Sequence, residues 1–117
     1  LVEDDPLLID IYSTKFKEAG FLVVVVDRGD AAVERIEKEG PDLVVLDIVL
    51  PQKDGWAILK SVKSNEKTKD IKVVILSNLG QKEEIEKGMG LGASGYLIKA
   101  HHTPSEVVKE IRKILLP

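Results

Sequence analysis

Short apolar runs recur along the chain at Phe21 to Val26, Leu43 to Leu50, Ile71 to Leu76 and Tyr96 to Ile98, with stretches of helical period between them. The runs are dense in Val, Ile and Leu and barely alternate, the pattern of parallel strands covered on both faces. Leu1-Val2 reads as the end of an earlier, first strand, whose beginning is expected upstream of residue 1 in a larger parent. After Pro6, the residues Leu7, Leu8, Ile11, Tyr12, Phe16 and Ala19 make one helical stripe that stops at Gly20. A second helix carries Ala32, Val33 and Ile36 and stops at Gly40-Pro41, and a third carries Trp56, Ile58, Leu59 and Val62. The fourth, around Gln81 to Leu91, is weak, because Gly88 and Gly90 each cost about 1 kcal/mol relative to Ala. The last runs from Pro104 to near Leu116 and opens on TPSE, a capping box with Thr103 as N-cap and Glu106 reaching back.

Strand and helix thus alternate without a linker, which predicts one domain over residues 1–117. The architecture that suits this alternation is α/β, an open parallel sheet with helices on both faces. Function in such sheets sits at the carboxyl ends of the strands, beside the switch in strand order. The residues there are Glu3-Asp4-Asp5 after the first strand, Asp47 in the third, Ser77-Asn78 after the fourth and Lys99 after the fifth. Asp27, at the end of the second, falls to the side of the switch point.

Asp47 is the single charge within an apolar run, where an ionised carboxylate is costly unless paired or bound to metal. Carboxylates without histidine or cysteine favour a hard, oxygen-loving cation, above all Mg²⁺ when a phosphate shares the site. Ser77 and Lys99 supply what a phosphoryl group needs, a hydroxyl donor and a compact positive charge. Asp47 could then both ligate the metal and attack phosphorus. Asp5, followed by Pro6-Leu7-Leu8, is expected to cap the first helix rather than to ligate. Asp54-Gly55 reads as turn and cap chemistry, Asp30 as the cap of the second helix, Asp27 as a loop acid and Trp56 as packing or surface. His101-His102 is assigned no ligand role.

Composition excludes several other classes. There are no cysteines, so no disulfide or thiolate chemistry exists in the chain, in keeping with a reducing compartment. A net charge of -3 gives no general attraction to nucleic acid or anionic membrane, and the longest uninterrupted apolar run, FLVVVV, is far short of a span.

The stretches VEDDP, VVLDIVLPQKDGW, VVILSN and GASGYLIKA, in this order and at strand ends, resemble the receiver domain of two-component response regulators over essentially the whole chain. The resemblance implies a flavodoxin-like (βα)5 doubly wound sheet of strand order 2-1-3-4-5. It implies that Asp47 is the phosphoacceptor, supplied by a sensor histidine kinase or a phosphotransfer protein. Mg²⁺ would be held by Glu3, Asp4, Asp47 and the backbone carbonyl of Val49. Ser77 and Lys99 would bind the phosphoryl group, and Ser77 with Tyr96 would switch a surface formed by the fourth helix, fifth strand and fifth helix. The implied location is cytoplasmic, with no direct binding of nucleic acid or membrane. A downstream protein or a covalently linked output domain would read that surface, and a phosphorylation-dependent homodimer is a further option. Ser94-Gly95 replaces the acidic residues that some DNA-binding regulators carry there, so their style of dimer is not supported.

Two departures from the family pattern carry expectations. Ala100 stands where the family usually has a cis proline, and a cis bond to a non-proline residue costs roughly 3 to 4 kcal/mol, so a trans bond or a rearranged loop is predicted. Val49 and Leu79 replace polar side chains and are expected to shield an acyl phosphate from water. Three rival readings remain: a degenerate receiver that binds partners without phosphorylation, a Mg²⁺-dependent phosphohydrolase with an aspartate nucleophile, and a flavodoxin-type flavin module. The hydrolase needs a second acid where Val49 stands, and Glu3-Asp4-Asp5 would repel a flavin phosphate.

Overall fold

The third, fourth and fifth expected strands form a parallel sheet: β1 (Leu43–Leu46), β2 (Lys72–Ser77) and β3 (Gly95–Ile98), in the order β1-β2-β3. Register is set by pairs such as Leu46 with Ile75 and Ser77 with Ile98. The first two expected strands are not ladders. Val2 forms one parallel bridge to Val26 and one to Leu46, so pairing at both positions is confined to a single rung. The bridges still place Val26 outside Val2 and Val2 beside β1, which reproduces the expected order 2-1-3-4-5.

The computed structural model describes residues 1–116, and the domain boundary expected at Pro117 lies outside them. Among the described residues, no helix is long and apolar enough to cross a membrane. Helices α1 (Pro6–Glu18), α2 (Gly29–Glu39), α3 (Gly55–Ser64), α4 (Lys82–Gly90) and α5 (Pro104–Leu115) cover the sheet. Successive strand side chains point to opposite faces, and the core divides accordingly. Val44, Leu46, Val73 and Ile75 pack with Ala32, Ile36, Ile58, Leu59 and Val62 on the α2–α3 side. Val45, Val74, Leu76 and Leu97 pack with Tyr12, Phe16, Val107, Val108 and Ile111 on the α1–α5 side. Burial on both faces is why the strands barely alternate in sequence.

The helix starts follow local chemistry. Asp5 accepts from the Leu7 and Leu8 amides at 2.9 and 3.4 Å, Asp54 from Trp56 at 3.0 Å, and Thr103 and Glu106 form the expected box. A second capping box, Gln81 with Glu84, starts α4. Asp30 is not a cap: α2 begins after Arg28, and Asp30 lies in its first turn, paired with the Arg28 guanidinium at 3.0 Å. A carboxylate in that turn still favours the positive end of the helix dipole.

The two glycines of α4 differ. A Cβ on Gly88 would stand 2.6 Å from Ile75 Cδ1 and 3.1 Å from the Tyr96 ring, whereas one on Gly90 would meet nothing within 4 Å. Gly88 therefore lets α4 approach β2 and β3, and Ile75 is fully buried and has no room to yield. Lys87 beside it lies over the Trp56 ring, 4.6 Å from the centroid, which ties α4 to α3. Urea unfolding should separate the two positions. Gly90→Ala should add about 0.5 kcal/mol through helix propensity, and Gly88→Ala should lose about 1 kcal/mol net because overpacking outweighs the same gain.

Candidate functional site

The register that builds the sheet also gathers its acids. The Val2 amide donates to the Val45 carbonyl at 2.8 Å, and the Asp47 amide donates to the Val2 carbonyl at 3.0 Å, which brings Glu3 and Asp47 out of neighbouring chain segments at one edge. Both side chains are buried, Glu3 at 2% and Asp47 at 6% exposure, while Asp4 is half-buried. Carboxylate oxygens of Glu3, Asp4 and Asp47 lie within 4.8 Å of one another. His101 and His102 do not join the cluster, and Asp27 is exposed in its loop.

Lys99 crosses to this cluster from the end of β3. Its ammonium donates to Glu3 Oε2 at 2.7 Å and to Asp47 Oδ2 at 2.9 Å. Lys99 thus bridges the two buried carboxylates. The remaining oxygens are held by backbone, with the Asp5 amide donating to Glu3 Oε1 at 3.2 Å and the Val49 amide to Asp47 Oδ1 at 3.2 Å. Among the described residues, no buried side-chain nitrogen or oxygen lacks a partner. Burial pushes the Glu3 carboxyl above the usual range, although the Lys99 hydrogen bond opposes it. For Lys99 burial acts against the charge, but the hydrogen bonds to Glu3 and Asp47 outweigh it and hold the ammonium above its ordinary value.

Gly55 sets the backbone beneath Asp47. A Cβ there would fall 2.4 Å from Ile48 Cα and 2.7 Å from the Asp47 carbonyl oxygen, so α3 starts directly against this loop. The expected cap role belongs to Asp54 alone. The Gly55 amide also donates to the Ile48 carbonyl at 2.9 Å. Past Asp47, Val49 is 60% exposed at the rim, on a shallow groove that Leu50, Trp56 and Leu79 line together with the polar Gln52, Lys53 and Asp54.

Ser77 ends β2 and is buried, and its Oγ accepts the Leu79 amide at 3.3 Å. Tyr96 is half-buried, with its ring beside Gly88 and its hydroxyl donating to the Leu79 carbonyl. The two hydroxyls thus hold opposite backbone groups of one residue. Burial raises the Tyr96 phenol above its ordinary value, so it is a neutral donor. All described peptide bonds are trans, in line with the expectation for Lys99-Ala100, and Lys99–His101 forms a short 3₁₀ turn. The Ala100 amide donates to Asn78 Oδ1 at 3.0 Å, a contact that sequence reasoning did not identify.

A buried anionic pair with a lysine between them, next to a third acid, is arranged to take a hard cation or a phosphoryl group. Similar proteins point the same way. The chain matches the response regulator receiver domain over residues 1–112. It is 31% identical over 115 residues to the phosphate regulon transcriptional regulatory protein PhoB of Escherichia coli, covering 98% of this chain and 50% of that protein. It is 33% identical over 118 residues to the DNA-binding dual master transcriptional regulator RpaA of Synechocystis, covering 98% and 47%. It therefore spans about half the length of these curated relatives. The BeF3-activated N-terminal receiver domain of Klebsiella pneumoniae RstA superposes with a TM-score of 0.89 at 33% identity, over 99% of this chain and 96% of that one. The strand order, the acid cluster at the strand ends and these matches agree: the chain belongs to the response regulator receiver domains, signalling domains of two-component systems.

Proposed function

We propose that Asp47 accepts a phosphoryl group, and that the chain is a working receiver rather than a degenerate one. The observation that carries this is the Glu3–Lys99–Asp47 trio, with the Lys99 ammonium 2.9 Å from the attacking carboxylate. In the step, an Asp47 carboxylate oxygen attacks phosphorus and forms a P–O bond. The P–N bond to a donor imidazole breaks, its electron pair stays on the departing nitrogen, and the ring leaves as neutral imidazole because its other nitrogen already carries a proton. The product is an acyl phosphate on Asp47.

Each residue around Asp47 has a part in this. The Val49 amide orients the carboxylate. Lys99 is close enough to pair with an oxygen of the incoming group. Ser77 can donate its hydroxyl to another such oxygen, which shifts the Leu79 backbone and through it Tyr96. Glu3, Asp4 and Asp47, with the Val49 carbonyl, suit Mg²⁺, because all are oxygen donors and the three acids already converge. When bound, Mg²⁺ would neutralise charge on the transferring group. The donor on this reading is a sensor histidine kinase or a phosphotransfer protein. The signal leaves through α4, β3 and α5 to a downstream protein, a linked output domain or a second copy of the chain. The chain at most promotes its own phosphorylation and dephosphorylation.

Val49 argues against phosphohydrolase turnover, since no second acid stands near the nucleophile at that position. The Val49 and Leu79 side chains line the groove next to the loop after Asp47 and offer an attacking water no hydrogen-bond partner of their own. The phosphorylated form should therefore be long-lived.

Intact mass after incubation with Mg²⁺ and phosphoramidate tests the proposal. One phosphoryl group should be added, and the adduct should disappear in Asp47→Asn or without Mg²⁺. Absence of any adduct would overturn the reading. Following the decay of that adduct tests the groove, because Val49→Asn should shorten its lifetime several-fold. An unchanged lifetime would remove Val49 from the account.

A further inference from the structure

We infer that Asn78 is a positioning residue for Lys99, acting through the backbone N–H of Ala100. Ser77 with Ile98 is the last paired position between β2 and β3, and each strand ends there. One residue further along each strand stand Asn78 and Lys99. Beyond the ladder the two chains are joined by a side-chain link, in which the Ala100 amide donates to Asn78 Oδ1 at 3.0 Å. A backbone amide is a donor, so only the oxygen of the Asn78 amide can meet it, and the orientation of that side chain follows.

The link matters because of what hangs from the turn. Lys99 is the first residue of the Lys99–His101 turn, and its four-carbon stem must deliver an ammonium between Glu3 and Asp47. A lysine stem has many rotamers, so the direction in which it leaves the backbone decides how often the ammonium arrives. The Ala100 amide belongs to the Lys99-Ala100 peptide plane. Holding that plane holds the backbone from which the Lys99 stem departs. Proline at residue 100 would have no N–H to offer, so the link depends on alanine there.

The same side chain joins Lys99 to the rest of the switch. Asn78 lies between Ser77 and Leu79, the two residues whose groups connect the buried hydroxyl to Tyr96. A displacement of that segment therefore reaches Lys99 through one hydrogen bond as well as through the sheet. The functional consequence rests on the proposed role of Lys99 in phosphoryl binding, while the geometric claim rests on the resting ion pair alone.

Two readouts test this. The first is exchange of the Lys99 ammonium protons with water, followed by NMR on the metal-free protein. The second is the affinity for beryllofluoride with Mg²⁺, set beside the affinity for Mg²⁺ alone. Loss of one exposed hydrogen bond in Asn78→Ala should speed exchange and weaken beryllofluoride binding by about three- to tenfold. Mg²⁺ affinity should not fall, because Glu3, Asp4 and Asp47 keep their places and a looser Lys99 competes less for their oxygens. Ala100→Pro removes the donor, so adding Asn78→Ala to it should change nothing further. The inference is overturned if Asn78→Ala leaves ammonium exchange unchanged, if Mg²⁺ affinity falls in step, or if the variant acts equally in the Ala100→Pro background. Should the unaltered chain bind no beryllofluoride, the phosphoacceptor reading fails, and ammonium exchange still decides the role of Asn78.

Discussion

The Lys99 ammonium between Glu3 and Asp47 is the interaction on which the rest of the site depends. Two carboxylates, 2% and 6% exposed, stand at one sheet edge, where burying two like charges is costly without a cation. Lys99 satisfies one oxygen of each, and backbone amides of Asp5 and Val49 satisfy the others. The desolvation cost is large and the attraction offsets it only because each carboxylate oxygen meets a donor. On the proposed function, a second cation or a phosphoryl group would change which partner Lys99 holds.

The fold exists around this arrangement in a direct sense. Parallel pairing aligns the carboxyl ends of the strands, so Asp47, Ser77 and Lys99 emerge together although they are far apart in the chain. Close approaches then set distances that side chains alone would leave loose. Gly55 lets α3 begin against the Asp47 backbone, and Gly88 lets α4 lie against Ile75 and Tyr96. Leu79, held at its amide by Ser77 and at its carbonyl by Tyr96, is the point where the site meets that packing.

Much of this was legible in the residues. The lone charge of Asp47 within an apolar run marked a member of the buried acid cluster, and Asp5, Asp54 and Thr103 announced helix starts by their spacing from the amides they cap. What escaped was set by tertiary geometry. The α4 glycines read alike in sequence, and only the neighbouring Ile75 and Tyr96 distinguish Gly88 from Gly90. Asp30 carried a cap signature, yet Arg28 captured its carboxylate and the helix began two residues earlier, with Arg28 in the cap position. The reach of Lys99 to Glu3 and the link from Asn78 to Ala100 each join residues distant in sequence, and no local pattern encodes either. The Gln81–Glu84 box was available in the sequence, overshadowed by the two glycines that follow it.

The central claim is that Lys99 serves as the resident counter-cation of Glu3 and Asp47, a place a metal ion can share. Urea unfolding of Lys99→Met with and without Mg²⁺ tests it most directly. Without Mg²⁺ the variant should lose about 3 kcal/mol or more, because two buried carboxylates are left without their cation. Mg²⁺ should then recover much of that loss and stabilise the variant more than it stabilises the unaltered chain. A variant as stable as the parent without Mg²⁺, or one that Mg²⁺ stabilises no more than the parent, would contradict the account.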